Sequence, residues 1–276
     1  MLKQRLLTAA ILIPLVVWGL LSLSTAVISA ILALFVLVGG WEWARLLGLT
    51  TSAARVAYAV LVAAVLWGAQ QFVTNVDSAM TMVLLLAVLW WLVGTVMVFR
   101  YRGAMGLSSG DRMAGAVIGL LVLVPTWLAL VHLHGDSQQG PALVLFLMVL
   151  IWGADSGAYF VGRKWGRRKL APHVSPGKSV EGVLGGMVTS IAIAMVGVVI
   201  LDMPLISALW FIPLCFVVVA FSVIGDLFES LFKRRVGVKD SGQILPGHGG
   251  VLDRIDSLTT AAPFFTLGLI LFDGMK

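Results

Sequence analysis

The sequence predicts an all-α protein that crosses a membrane about nine times. Hydrophobic residues make up 60% of the 276 residues and charged residues only 12%, whereas soluble domains carry about 25% charged residues. The apolar residues also occur in runs of roughly 18 or more, enough for a helix to cross a hydrocarbon core about 30 Å thick. A transmembrane barrel would instead show strands of about 10 residues with alternating polarity.

The predicted spans are joined by short loops in the first half of the chain and by longer loops in the second. A Ser/Thr turn near Ser24 separates the first two spans. We expect the first span to be retained, because its apolar core is too long for a typical signal peptide. The nine predicted spans cover 6–23, 25–41, 56–73, 78–98, 113–132, 141–160, 181–201, 205–227 and 257–272.

The distribution of cations predicts the orientation. With the N-terminus in the cytoplasm, every one of the 19 lysine and arginine residues except Lys276 falls on the cytoplasmic side. This asymmetry is what the positive-inside rule requires. An odd number of spans then places the C-terminus outside.

A single membrane domain covering residues 1–276 is the simplest organisation. Residues 1–139 are predicted to form scaffold spans with little polar chemistry. Residues 140–276 are predicted to form the catalytic spans, with two cytoplasmic loops at 161–180 and 228–256.

The net charge of +6 is therefore concentrated at the inner face. Topology explains most of it, and attraction to anionic phosphates is the second explanation. Nucleic acid is not an expected partner, because so little of the chain is soluble surface. The only cysteine, Cys215, lies in an apolar span and excludes an intramolecular disulfide. Glu42, between Trp41 and Trp43 at the end of the second span, is interpreted as an interfacial or interhelical polar contact, and a site residue is the alternative.

The sixth span ends in a polar segment that contains Asp155. An ionisable residue so close to the membrane interior needs a partner or a function, and pairing with a cytoplasmic cation is the structural alternative. The loop 161–180 that follows is rich in cations and ends in SPGKS. Its turn residues, the hydroxyls of Ser175 and Ser179 and the ammonium of Lys178 suit a phosphate. A helix N-cap is the alternative role for either serine.

Two carboxylates flank the second long loop. Asp226 ends the eighth span and shares a helix face with Ser222, Glu229 and Ser230. Asp253 follows at the far end of the loop, and a loop that leaves and re-enters on one side brings the two together. They repel unless a cation joins them. Oxygen ligands with open positions suit Mg²⁺, and a second cation beside it is left open.

The block from Ser230 to Asp256 is the densest polar stretch of the chain. It contains a Pro246–Gly250 turn in which the backbone can approach a ligand closely. His248 in that turn can donate to phosphate or assist proton transfer, and a solvated loop histidine is the alternative. Asp256 is interpreted as the cap of the ninth span.

The block resembles the signature of the phosphatidate cytidylyltransferases, also called CDP-diacylglycerol synthases. The segment SPGKSVEG resembles a second recurrent block of the same enzymes. The resemblance implies a membrane enzyme of phospholipid biosynthesis that converts phosphatidate and CTP to CDP-diacylglycerol and pyrophosphate, with Mg²⁺ held by Asp226 and Asp253. We expect catalytic roles for Asp226, Asp253, Lys239 and His248, and substrate binding by Asp155, Ser175, Lys178, Ser179, Lys233, Arg234, Asp240 and Arg254.

The expected partners are phosphatidate, CTP and the lipid bilayer of a bacterial-type inner membrane, with the active site facing the cytoplasm. A homodimer is left open, as are the acyl-chain preference and the choice between CTP and dCTP. An anion transporter is the rival class, but it would show inverted repeats and broken mid-span helices, and the sequence has neither. A CDP-alcohol phosphotransferase would need a carboxylate-rich DG-type repeat, which this chain lacks.

Overall fold

The computed structural model describes residues 13–103, 106–244 and 249–273. Within these ranges the chain forms nine helices and one short antiparallel β-hairpin. The helices are α1 (Ile13–Ser22), α2 (Thr25–Leu46), α3 (Ser52–Asn75), α4 (Ala79–Arg100), α5 (Ser109–Gly135), α6 (Gly140–Trp165), α7 (Val180–Ile200), α8 (Leu205–Arg235) and α9 (Leu252–Asp273), and the strands are β1 (Lys169–Ala171) and β2 (Ser175–Ser179).

Eight of the helices, α2 to α9, are long and apolar enough to cross a membrane. The predicted polytopic helical class is therefore confirmed. The break near Ser24 is confirmed too, because α1 ends at Ser22 and α2 begins at Thr25. The start of the first predicted span lies outside the described residues.

Helices α5 and α9 lie at the centre of the bundle. In each, 61% of the most apolar stretch is buried, against 17–44% in the other six long helices. Backbone carbonyls of both helices accept hydrogen bonds from tryptophan side chains of α2 and α4. Trp43 Nε1 donates to Gly115 O at 2.9 Å, and Trp91 Nε1 donates to Thr259 O at 3.2 Å. Phe228 of α8 packs edge-on against Trp91, with ring centroids 5.2 Å apart. These contacts join the first half of the chain to the helices that carry the predicted site.

Helices α6 and α7 pack closely along glycine faces. A Cβ at Gly186 would lie 2.8 Å from Ala154 O, and one at Gly182 would lie 2.9 Å from Ala158 O, so the two backbones approach without side chains between them. The predicted loop 161–180 is more ordered than expected, because α6 continues to Trp165 and β1 pairs with β2.

Helices α8 and α9 extend further toward the site than predicted. The predicted spans cover 205–227 and 257–272, whereas α8 continues to Arg235 and α9 begins at Leu252. The physical reason is that Phe228, Leu231 and Phe232 are buried at helical spacing beyond the polar Asp226. The predicted loop 228–256 therefore shortens to 236–251.

Candidate functional site

The β-hairpin is held against α8 by two polar contacts. Lys178 Nζ lies 2.7 Å from Asp226 Oδ2, with side chains 25% and 31% exposed. Arg234 Nε donates to Val174 O at 3.1 Å. The base of the hairpin is fixed separately by Glu181, whose carboxylate accepts the backbone N–H groups of Arg167 and Arg168. The sequence therefore folds so that a cation of the hairpin faces a carboxylate of α8.

Asp253, at the start of α9, is held by a second lysine and by the loop backbone. Lys233 Nζ lies 2.8 Å from Asp253 Oδ1, and both side chains are largely buried. The backbone N–H groups of Gly250 and Ser241 donate to the same carboxylate at 2.8 and 3.1 Å. Gly249 turns the chain with φ +81°, and a Cβ there would lie 2.8 Å from Asp253 Oδ2. The position of this carboxylate is thus fixed from three directions.

Two further carboxyl groups, Glu229 and Asp256, lie between these ion pairs. Glu229 is only 3% exposed, and its Oε2 lies 3.5 Å from Lys233 Nζ. Neither of its oxygens accepts a hydrogen bond from a donor in the described ranges, and Asp256 acts on it electrostatically. Because buried like charges repel, this pair requires a proton or a cation between its members.

The prediction that Asp256 caps the last span is wrong. Helix α9 begins at Leu252, so Asp256 lies in its second turn. Its carboxylate accepts the backbone N–H of Ser257 at 2.7 Å and interacts electrostatically with Asp226 and Lys178. Asp256 therefore belongs to the carboxylate cluster rather than to the helix boundary.

Helix α6 contributes Asp155 to the same cluster. Its side chain is exposed, yet it interacts electrostatically with both Lys178 and Asp226. Contact of an ionised carboxylate with lipid hydrocarbon costs free energy. The exposed surface of Asp155 therefore suits a polar opening beside the hairpin. The structure therefore brings together Asp155, Lys178, Asp226 and Asp256 from α6, the hairpin, α8 and α9.

Comparison with known proteins identifies the family. The family model described as "Cytidylyltransferase family" matches residues 3–272. This chain belongs to the cytidylyltransferase family. A phosphatidate cytidylyltransferase of Pseudomonas aeruginosa is 47% identical over 96% of both chains. One of Haemophilus influenzae is 40% identical, covering 96% of this chain and 98% of its own, and one of Bacillus subtilis is 39% identical over 56% of this chain and 59% of its own.

The remaining predicted residues are placed around the cluster in this cytidylyltransferase fold. Ser175 is half-buried in β2 opposite Ala171. Ser179 is buried, and its hydroxyl accepts the Gly182 N–H at 3.1 Å, so it serves as the N-cap that the sequence left as an alternative. Lys239, Asp240 and Arg254 are exposed near the start of α9. His248 lies outside the described residues.

Asp226 and Asp256 offer carboxylate oxygens, which are the ligand type that magnesium prefers. Within residues 13–103, 106–244 and 249–273, no three His, Cys, Asp or Glu side chains form a metal-binding group. Mg²⁺ characteristically uses one or two carboxylates and takes its other ligands from water and substrate phosphates. The sharing of one ion by Asp226 and Asp253 stays a prediction. In the structure Lys178 pairs with Asp226, and Lys233 pairs with Asp253.

Sequence reasoning missed one ion pair at the edge of the site. Arg235 Nη2 lies 2.7 Å from Asp111 Oδ1, which ties the end of α8 to the start of α5. Asp111 also completes a capping box with Ser108. The Ser-x-x-Asp spacing before an apolar run was the available signal for this helix start.

Proposed function

We propose that this protein transfers the cytidylyl group of CTP to phosphatidate, giving CDP-diacylglycerol and pyrophosphate. The observation that carries the proposal is the cluster of Lys178, Asp226 and Asp256 at the meeting point of the hairpin, α8 and α9. The chain that carries this cluster belongs to the cytidylyltransferase family. Similar relatives of the chain are named phosphatidate cytidylyltransferases.

The position of the cluster suits one lipid and one soluble substrate. Phosphatidate leaves the bilayer at a cost of about 0.8 kcal/mol for each CH₂ withdrawn from the hydrocarbon. CTP is too highly charged to enter it. A site at the ends of membrane-spanning helices, with an exposed carboxylate at Asp155 and an exposed cation at Lys169 of the hairpin, is accessible to both.

The reaction requires alignment and charge neutralisation more than a protein nucleophile. A phosphate oxygen of phosphatidate attacks the α-phosphorus of CTP, so a P–O bond forms there as the bond to the β-phosphate oxygen breaks and pyrophosphate leaves. Lys178 supplies an ammonium group where these phosphates meet the carboxylates. Lys233 holds Asp253 in place and partly balances the charge of Glu229.

We propose Mg²⁺ as the cofactor, with Asp226 and Asp256 as its nearest carboxylates. The mutual electrostatic interaction of Asp226 and Asp256, with the buried Glu229 beside Asp256, supports a cation in this region. When bound, Mg²⁺ would neutralise negative charge on the substrate phosphates. A direct ligand role for Asp253 stays a prediction. Lys233 and two backbone N–H groups engage its carboxylate, and a metal ion would compete with them for its oxygens.

We also propose that the cluster faces the cytoplasm of a bacterial inner membrane, with the N-terminus inside and the C-terminus outside. The support is the concentration of cations at this end of the bundle, on the last turn of α6 and on the last turn of α8. Similar relatives from bacteria support the organism class. A homodimer stays a prediction.

The proposal is tested with purified protein in phosphatidate-containing detergent micelles, supplied with CTP and Mg²⁺. We expect equal amounts of CDP-diacylglycerol, measured by mass spectrometry, and pyrophosphate, measured as phosphate after hydrolysis by added pyrophosphatase. A magnesium chelator should abolish both products. No nucleotide-bearing lipid from folded protein would refute the proposed activity. Uptake of CTP into sealed vesicles without a lipid product would favour a transporter.

A further inference from the structure

Glu42, on α2, reaches the loop that precedes α9. Its side chain is only 2% exposed. One carboxylate oxygen accepts the backbone N–H of Val251 at 3.1 Å, and the other accepts that of Leu252 at 2.8 Å and the hydroxyl of Ser241 at 3.2 Å. A carboxylate from the predicted scaffold half is thus fully engaged by the signature block, about 200 residues away in the chain.

The loop is shaped around this carboxylate. A Cβ at Gly242 would overlap Glu42 Oε1, and a Cβ at Gly250 would lie 2.6 Å from both Glu42 oxygens. Both positions therefore need glycine because the Glu42 side chain occupies the space. A carboxylate that served only as an interfacial anchor would not require two glycines in a distant loop.

The contacts place Glu42 at the N-terminus of α9. The first backbone N–H groups of a helix have no partner within it, and a negative charge there is favourable. Leu252 is the first residue of α9, so Glu42 satisfies the N–H groups at its very start. No side chain within the described part of the loop takes over this role for Leu252.

A short chain of hydrogen bonds connects Glu42 to the reaction site. The Ser241 hydroxyl donates to Glu42, while the Ser241 backbone N–H donates to Asp253. Arg45, one turn after Glu42, donates to Ser241 O at 3.4 Å. Ser241 is thereby fixed from both sides, and a displacement of Glu42 would be passed to the first turn of α9.

We infer that Glu42 is a positioning residue that sets the start and rotation of α9, and so places Asp253 and Asp256 against α8. The inference rests on the proposed function for its effect on catalysis. Glu42 is buried and the loop engages both its oxygens, so its effect on the reaction passes through the loop rather than through a free carboxylate oxygen. Its loss should lower kcat, because alignment in the transition state suffers, while the hairpin cations keep the KM for CTP nearly unchanged.

A spin label separates this inference from the proposed activity. Cys215 is buried, so Cys215→Ala provides a background in which Gln243→Cys, at an exposed loop position, carries the only label. We expect Glu42→Gln to increase the mobility of the label in electron paramagnetic resonance spectra. It should also lower kcat about 10- to 100-fold, the range for residues that orient metal ligands through hydrogen bonds, with the KM for CTP nearly unchanged.

Matched variants complete the test. Glu181→Gln makes the same change at another helix N-terminus and should leave the loop label immobile. Ser241→Ala removes only the hydroxyl contact to Glu42. If Glu42→Gln does not fold, label mobility and kcat in Ser241→Ala test the inference instead. An immobile label with unchanged kcat, or a raised KM with unchanged kcat, would overturn the inference. A mobile label in a protein that shows no cytidylyl transfer even as wild type would refute the proposed function alone.

Discussion

Replacement of Lys178 by alanine tests whether the hairpin supplies a specific phosphate contact. The change removes the ammonium group that lies 2.7 Å from Asp226, in a pair whose side chains are only 25% and 31% exposed. A hydrogen bond to a charged group contributes about 1.5–3 kcal/mol. If Lys178 makes one such bond to a substrate phosphate in the transition state, kcat/KM should fall about 10- to 150-fold.

The assay is the initial rate of lipid-linked label formation from labelled CTP at several phosphatidate concentrations in mixed micelles. Lys169→Ala is the matched control, because it removes the same charge from an exposed position on the partner strand of the hairpin. Its effect should be less than about threefold, since an exposed charge is screened by solvent. Equal losses for the two variants would show that the hairpin acts as a diffuse positive field, and the reasoning from the 2.7 Å contact would fail.

Three further results are expected. Gly119→Ala should destabilise the folded protein by about 1–3 kcal/mol in detergent unfolding curves, because a Cβ there overlaps Trp43 Nε1; an unchanged midpoint would contradict this packing. Arg235→Ala, which breaks a partly exposed pair with Asp111, should cost less than about 1 kcal/mol and leave kcat nearly unchanged; a large loss of kcat would assign Arg235 to the site. A reporter fused after Lys276 should signal an external C-terminus, and a cytoplasmic signal would contradict the proposed topology.

Hydrophobic length was enough to predict most of the fold. Eight long apolar helices and the break near Ser24 follow from segment length and polarity alone. The inner ends of α8 and α9 could not be placed in this way. Phe228 and Phe232 bury their rings against Trp43 after the polar Asp226, so tertiary packing continues α8 where sequence polarity predicts a loop. The division into a scaffold half and a catalytic half stays a prediction.

For the site, the sequence predicted which residues carry charge but not how the charges are paired. The structure pairs Lys178 with Asp226 and Lys233 with Asp253, and neither pairing was predicted. The role of Asp256 was missed, because its position before Ser257 also fits a helix cap. Glu42 was interpreted as an interfacial or interhelical polar contact. Its actual partners could not be predicted, because they are about 200 residues away and leave no local pattern.

The most direct test of the account is the fate of the α-phosphate of CTP in wild-type protein and in Asp256→Asn. With wild type, label from the α-phosphate should enter the lipid fraction while label from the γ-phosphate stays in water as pyrophosphate. Asp256→Asn should insert normally and lose about 100-fold or more in rate, the scale for removing one group that stabilises charge in a transition state. Asp136→Asn, at the exposed end of α5 beside His132, should retain the wild-type rate. Near-normal α-label transfer by Asp256→Asn, or γ-label in the lipid from wild type, would contradict the proposed site and reaction.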